Sequence, residues 1–340
     1  MQPGGSEFAD YRERPPAYLE ATGQVDAVDE SAGEPLPKAC EWREGVVDTH
    51  LHGQRLDKAV TALAPEFSRS HLQQLVEQGH VLLDGAVATT SSRKVRVGQR
   101  LRLELVPTDE SRAFRPQAMA LVVLFEDEHL LVLDKPPGLV VHPAPGNWSG
   151  TLLNGLLAHH VAAATLPRAG IVHRLDKDTS GVMMVGKSLA AVTALVRDMA
   201  ARSVHRRYLA LAHGQPDTDT FTVDAPIGRD PRVRVRMAVV QGGRASSTDV
   251  FRVATRGGFS ALSCTLHTGR THQIRVHLSS RGLPLVADAV YGGQPALGMQ
   301  RQALHATELS LAHPLSRAPL SFVCAPPPDF AAAWAQLTQP

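Results

Sequence analysis

From Gln54 onward the chain moves between two hydrophobic periods. In RLDKAVTALAP, Leu56, Ala59, Val60 and Leu63 recur three and four residues apart, which predicts one buried face of a helix; SRSHLQQLVEQG repeats the pattern with Leu72, Leu75 and Val76 until Gly79 ends it. Ser68 stands where a side-chain cap belongs. HVLLDGAVATT then reads as two short β runs about the hairpin signal Asp84-Gly85, and VRVGQRLRLEL alternates apolar and basic residues at period two. Residues 54–107 are thus expected to form a small αα-β-hairpin module. TDESRAFRPQ, residues 108–117, is polar and aperiodic and predicts a linker. From Leu121 the periods return over a longer span. LVVLFEDEHLLVLDKPPG gives two strands around a charged turn; GTLLNGLLAHH and SLAAVTALVRDMAARS give helices; HRRYLALAHG, RVRVRMAVV, TDVFRVAT and FSALSCTLHTG give strands; RTHQIRVHLSSRG is helical. Strands outnumber helices without regular alternation, so residues 118–330 are expected to be an α+β domain on a large mixed, mainly antiparallel sheet.

Charge changes the picture at the N-terminus. Residues 1–48 hold eleven acidic and four basic residues, a net of −7, so with a chain total of +2 the remainder carries +9. Rich in proline and glycine and without an apolar period, residues 1–48 read as a disordered acidic tail. The basic remainder favours a polyanionic partner. Cys40, Cys264 and Cys324 are odd in number, scattered and without a C-x-x-C pair, which argues against a disulfide framework or a structural zinc site and fits a reducing cytoplasm. Neither a signal peptide nor an apolar run of about eighteen residues is present, so no membrane partner is expected.

The most unusual stretch is AGIVHRLDKDTSGVMMVGKS, residues 169–188, where Arg174, Asp176, Lys177 and Asp178 are crowded between two apolar runs. Three readings compete for it. His173, Asp176 and Asp178 could ligate a metal, although His272 and His277, five apart, lie about 140° apart around a helix and do not share a face. Asp176 could pair with Arg174 or Lys177 in a surface network. Or Asp176 is a catalytic carboxylate held ionised by guanidinium groups. Two distant segments favour the third: HRRYLAL with Tyr208, and TGRTHQIRVHL with Arg270, Arg275 and Leu278.

With these motifs the chain closely resembles the RluA/RluD family of pseudouridine synthases, through H-R-L-D-x-x-T-S-G, R-x-Y and T-G-R-T-H-Q-I-R-V-H, and also through KPPGLVVHPAPGN, VADAVYGG and RQALHA. The helix-helix-hairpin module resembles the S4 RNA-binding domain. The resemblance implies the pseudouridine synthase fold and an isomerase that converts uridine in RNA to pseudouridine, most similar to the RluD-like branch acting on large-subunit ribosomal RNA. It implies no metal, redox group or nucleotide cofactor, in keeping with the lack of a Walker loop or dinucleotide fingerprint. It also implies roles: Asp176 as nucleophile or base, Arg275 as its partner, Tyr208 stacked on the uracil, Arg174 filling the place of a flipped-out base, and Arg270 and Leu278 bordering the substrate. Arg55, Arg69, Arg93 and Lys94 would meet RNA from the S4-like module, and Arg206, Arg207, Arg229, Arg232, Arg234 and Arg236 are further candidates for phosphate contact. The alternatives are a non-catalytic RNA-binding ribosome assembly factor, a metal-dependent nuclease, and the same isomerisation on transfer RNA. Oligomeric state is not readable.

Overall fold

The computed structural model describes residues 41–106, 113–233 and 236–339, so residues 1–40 of the acidic tail expected over residues 1–48 lie outside the described residues. The first unit holds β1 (Glu41–Val46), α1 (Leu56–Leu63), α2 (Arg69–Glu77), β2 (Val81–Leu83), β3 (Ala86–Val87) and β4 (Arg100–Leu105), with its strands ordered β1-β4-β2-β3. The apolar faces expected of the two helices meet as expected: Leu56, Ala59, Val60, Leu72, Leu75 and Val76 are buried in one core with Val81, Leu83, Leu101 and Leu103. The Ser68 hydroxyl accepts the His71 N–H, and Asp84 and Gly85 both take positive φ, 53° and 80°, the backbone a two-residue hairpin turn demands.

One boundary moves. Glu41–Val46, which composition assigns to the acidic tail, forms β1 and pairs along the whole of β4, from Glu41 opposite Leu105 to Val46 opposite Arg100. Its side chains are exposed or half-buried, so it joins the sheet through backbone hydrogen bonds and surface contacts, and leaves no apolar alternation to read. Arg102 of β4 bridges it, 2.8 Å from Glu44 and 4.3 Å above the Trp42 ring.

The second unit comprises β5 (Val122–Glu126), β6 (Leu130–Lys135), α3 (Leu152–His159), β7 (Ser180–Gly186), α4 (Leu189–Ala200), β8 (His205–His213), β9 (Thr220–Asp224), β10 (Ile227–Arg229), β11 (Met237–Val239), β12 (Ser247–Arg256), β13 (Phe259–Leu266), α5 (Gln273–Ser280), β14 (Leu304–Ala312), β15 (Pro319–Val323) and α6 (Pro328–Thr338). Its main sheet runs β5-β6-β7-β14-β8-β13-β12-β9, with β15 also on β14 and β10-β11 forming a separate ribbon. Every pairing in the main sheet is antiparallel except β7 with β14. The central strands are covered on both faces, and period two sorts their side chains: Ala210, Ala212, Leu262 and Cys264 enter the main core, while Leu211 and Ala261 face Phe330, Ala333 and Leu337 of α6. The latter part of the expected linker is docked. Ala113 is buried, and Asn154, itself buried in α3, donates to the carbonyls of Ala113 and Arg115, because a buried amide needs acceptors. Among the described residues no helix is long and apolar enough to cross a membrane.

Candidate active site

Asp176 sits on a turn whose every exit is held. Upstream, Ile171 bridges Val185 of β7, and His173 Nε2 accepts the Met184 N–H at 3.0 Å. The turn is closed by Thr179 N–H donating to the Asp176 carbonyl at 3.1 Å. Downstream, Gly181 takes φ 115°, and a Cβ there would stand 2.1 Å from the Ala306 carbonyl oxygen; only glycine lets β14 run alongside at that point. Beneath the turn, Lys135 at the end of β6 is fully buried and donates to the carbonyls of Pro136, Leu139 and Lys177 at 2.7, 3.0 and 2.9 Å. Three acceptors match the three donors of an ammonium. Burial pushes the Lys135 amine down to about 8, against the pull of Asp178 and Asp176.

Arg275 reaches the turn from α5. The residue that leads into the helix, His272, is a non-glycine residue in the left-handed region at φ 57°. Arg275 is 5 % exposed, and its guanidinium is divided between two carboxylates: Nε and Nη2 donate to Asp288 Oδ2 and Oδ1 at 2.7 and 2.8 Å, and Nη1 donates to Asp176 Oδ2 at 3.0 Å. The fork on Asp288 fixes the plane of the guanidinium, and that plane decides where Nη1 points. Burial alone would lower the Arg275 pKa; Asp288 and Asp176 more than reverse this and hold it above its ordinary value. Tyr291 lies under the same guanidinium at 4.9 Å, and its hydroxyl meets His272 Nδ1 at 2.8 Å. Asp288 and Tyr291 were not among the residues picked out from the sequence. The available signal was a lone carboxylate in PLVADAVYGG, where apolar neighbours imply burial and burial implies a cationic partner.

Asp176, Tyr208, Arg275, Arg174 and Arg270 all line one cavity of about 260 Å³. Tyr208 enters from β8, opposite Cys264 and Ala306 of the flanking strands. Its side chain is buried, and burial raises its hydroxyl pKa, an effect that Arg206 opposes and Asp176 reinforces. Arg174 is exposed, whereas Arg270 is half-buried with Nη2 3.4 Å from the Ala245 carbonyl. Leu278 does not join them. One turn further along α5 from the charged end, it is fully buried in the main core, and Ile274 is the apolar residue of that helix on the cavity wall. Arg206 also departs from expectation, being buried against the Thr268 carbonyl rather than presented at the surface; Arg207 is paired with Glu308 at 3.1 Å, and Arg234 lies outside the described residues.

In the first unit, residues 54–57 run beside residues 91–95, which brings Arg55 and Lys94 into a backbone bridge and leaves Arg69, Arg93 and Lys94 exposed. Arg55 is partly committed, since it donates to both oxygens of Asp57, and Arg69 lies 3.9 Å from the same carboxylate.

Two cavity histidines set an acid limit on stability. Burial pushes His173 down to about 3 and His142 to about 4, with Arg206 and Arg174 respectively adding to the effect. Both are neutral when folded, while an unfolded imidazole takes up its proton near 6.5, so stability is full above that pH and is lost as the pH falls from it towards 3–4. The melting temperature measured from pH 7 to 4.5 is expected to fall, and to fall less steeply in His173→Gln, which keeps an acceptor for the Met184 N–H.

Comparisons with known proteins place the chain among RNA pseudouridine synthases. Residues 129–280 match the family model described as RNA pseudouridylate synthase, and residues 54–101 match the S4 domain. The chain is 47% identical over 298 residues to ribosomal large subunit pseudouridine synthase D of Nitrosomonas europaea, covering 85% of this chain and 86% of that one. It is 45% identical over 314 residues to the protein of that name in Xanthomonas campestris, covering 88% and 93%. Among solved structures it resembles human RNA pseudouridylate synthase domain containing 1, with a TM-score of 0.50, 26% identity and coverage of 63% of this chain and 88% of that one. With the motif-bearing turn, the two-carboxylate arginine and both domain matches in place, the chain belongs to the RluA/RluD family of RNA pseudouridine synthases and carries an S4 domain.

Proposed function

We propose that this enzyme isomerises uridines in large-subunit ribosomal RNA and that Asp176 is the carboxylate that acts on the sugar. The observation carrying this reading is the division of Arg275 between Asp288 and Asp176 at the wall of a cavity that Tyr208 also lines. Asp176 Oδ2 is occupied by Arg275, whereas Oδ1 has no hydrogen bond among the described residues and faces His272 Nε2 at 3.9 Å. Oδ1 is therefore the oxygen available to the substrate.

The reaction breaks the C1′–N1 bond, turns the uracil, joins C5 to C1′ and transfers the C5 proton to N1, so no atom or electron is gained or lost. Asp176 serves the first step, by attack at C1′ or by removal of the neighbouring C2′ proton, and Arg275 keeps its charge compensated without covering Oδ1. Tyr208 stacks on the uracil. Its hydroxyl, held above its ordinary range by burial, stays a neutral phenol at physiological pH and is unsuited to taking the C5 proton unaided. A stacked uridine hides its sugar carbon, so the base leaves the helix at a cost of a few kcal/mol, and the exposed guanidinium of Arg174 stacks in its place. Ile274 rather than Leu278 supplies the apolar wall, with Arg270 beside it. The S4 domain docks on structured RNA through Arg69, Arg93 and Lys94, with Arg55 contributing the guanidinium donors not spent on Asp57.

Ribosomal RNA is favoured over transfer RNA by the relatives named for the large subunit, which match over most of both chains. The deciding measurement is a map of pseudouridines in ribosomal and transfer RNA from a strain lacking the protein, beside the parent and a complemented strain. Loss and restoration of specific large-subunit sites is expected. Loss confined to transfer RNA would overturn the substrate, and unchanged maps in both would overturn the activity.

A further inference from the structure

The Asp176 turn is gripped from a second direction by residues that lie outside the span matched by the family model, residues 129–280. Arg301, three residues before β14, donates Nη1 to the Asp178 carbonyl at 2.8 Å. The rest of its fork is taken by Asp329 in the first turn of α6, Nε to Oδ2 at 2.7 Å and Nη2 to Oδ1 at 2.9 Å. Its neighbour Gln302 is buried and donates to Thr179 Oγ1 at 3.3 Å. The base of this grip is rigid, because Phe330, Ala333 and Leu337 of α6 are buried against Leu211, Val286 and Ala303.

We propose that Arg301 and Asp329 are positioning residues for the isomerisation: α6, through the arginine, holds the Asp178 peptide and thereby sets the direction of the Asp176 side chain. The proposal rests on the reading of Asp176 as the catalytic carboxylate. The geometry repeats, on the next residue, what Lys135 does at the Lys177 carbonyl, so consecutive carbonyls of one turn are each held by a buried or nearly buried cation. With the carbonyls of both central residues held, the turn resists rotation of those peptides, and Asp176, at its first position, is the residue to which such a rotation would be passed. As in Arg275, an aspartate fork fixes the guanidinium plane and leaves one nitrogen to do the pointing. A displacement of about 1 Å at a reacting group costs about 100-fold in rate, which sets the scale of the expected effect.

The test is steady-state and single-turnover pseudouridine formation on an rRNA substrate, with melting temperatures, for Arg301→Ala, Arg301→Lys, Asp329→Ala and the Arg301→Ala/Asp329→Ala double variant. Arg301→Ala is expected to lower kcat about 10- to 100-fold with KM for RNA within about twofold. Arg301→Lys is expected to recover part of this, since an amine still reaches the Asp178 carbonyl but cannot fork onto Asp329. Asp329→Ala should cost less than Arg301→Ala, and the double variant no more than Arg301→Ala, because Asp329 acts only through the arginine. A kcat for Arg301→Ala within about threefold of the parent at a lowered melting temperature would make the contact a mere structural tie and overturn the proposal, as would losses that multiply in the double variant. If Arg301→Ala does not fold, Asp329→Asn, at a carboxylate 41 % exposed, carries the same test: a lowered kcat at unchanged KM supports positioning and an unchanged kcat overturns it. Asp176→Asn in the same assay separates the two claims. An inactive Asp176→Asn beside an unaffected Arg301→Ala sinks only the positioning role, whereas an active Asp176→Asn sinks the catalytic reading itself.

Discussion

Asp176→Asn is expected to lower pseudouridine formation by about 10⁴-fold or more, the scale at which loss of a nucleophile is felt in enzymes whose other groups stay in place. The change removes a charge and a nucleophilic oxygen while keeping the shape of the side chain. The asparagine carbonyl can still accept from Arg275 Nη1, and the fork on Asp288 keeps the guanidinium paired, so the site should stay assembled. RNA affinity should hold or rise slightly, because a negative charge beside a polyanion is gone. Release of the C5 hydrogen from labelled uridine in an rRNA transcript, together with RNA binding by the same preparation, measures both. A variant that retains a tenth of the parental rate would mean that another group acts on the sugar.

The second large effect concerns stability. Asp288→Ala is expected to destabilise the protein by roughly 3–5 kcal/mol, because it strips the forked partner from a guanidinium that is buried and cannot shed its proton. For a catalytic domain of this size that is a fall in melting temperature of roughly 6–20 °C. Activity should drop as well, since Nη1 of Arg275 loses the plane that aims it at Asp176. Replacing both residues, Arg275→Leu with Asp288→Leu, should recover part of the stability, because the more deeply buried Arg275–Asp288 pair is gone and the one charge left without its partner, on Asp176, borders the cavity, but none of the activity. Stability and rate thus separate in this pair. If Asp288→Ala melted with the parent, the buried ion pair would have to be exchanging with water, and the account of how Arg275 is aimed would fail.

Local pattern sufficed wherever a side chain's neighbours in space are also its neighbours along an element. The stripe Leu72, Leu75, Val76 had to be the inner face of a helix, Asp84-Gly85 had to turn, and the period-two run of β4 had to put Leu101, Leu103 and Leu105 inside. The strand Glu41–Val46 escaped because its contribution to the sheet is made by backbone groups, which every residue carries alike. Leu278 shows the limit of helical spacing. Three residues from Arg275 is near enough to share a face, yet the start of α5 at Gln273 decides that Ile274 meets the cavity and Leu278 the core.

By itself, then, the chain determined its two units, their classes of secondary structure and the residue types able to do the chemistry, because periodicity, turn residues and motif spacing act over a few positions. Which groups meet was left to the fold. Residues 176, 275 and 288 share one guanidinium, and residues 178, 301 and 329 share another. Those encounters come from the parallel pairing of β7 with β14, the approach of α5 and the packing of α6, set by burial of apolar surface over the whole domain, which no short window of sequence contains.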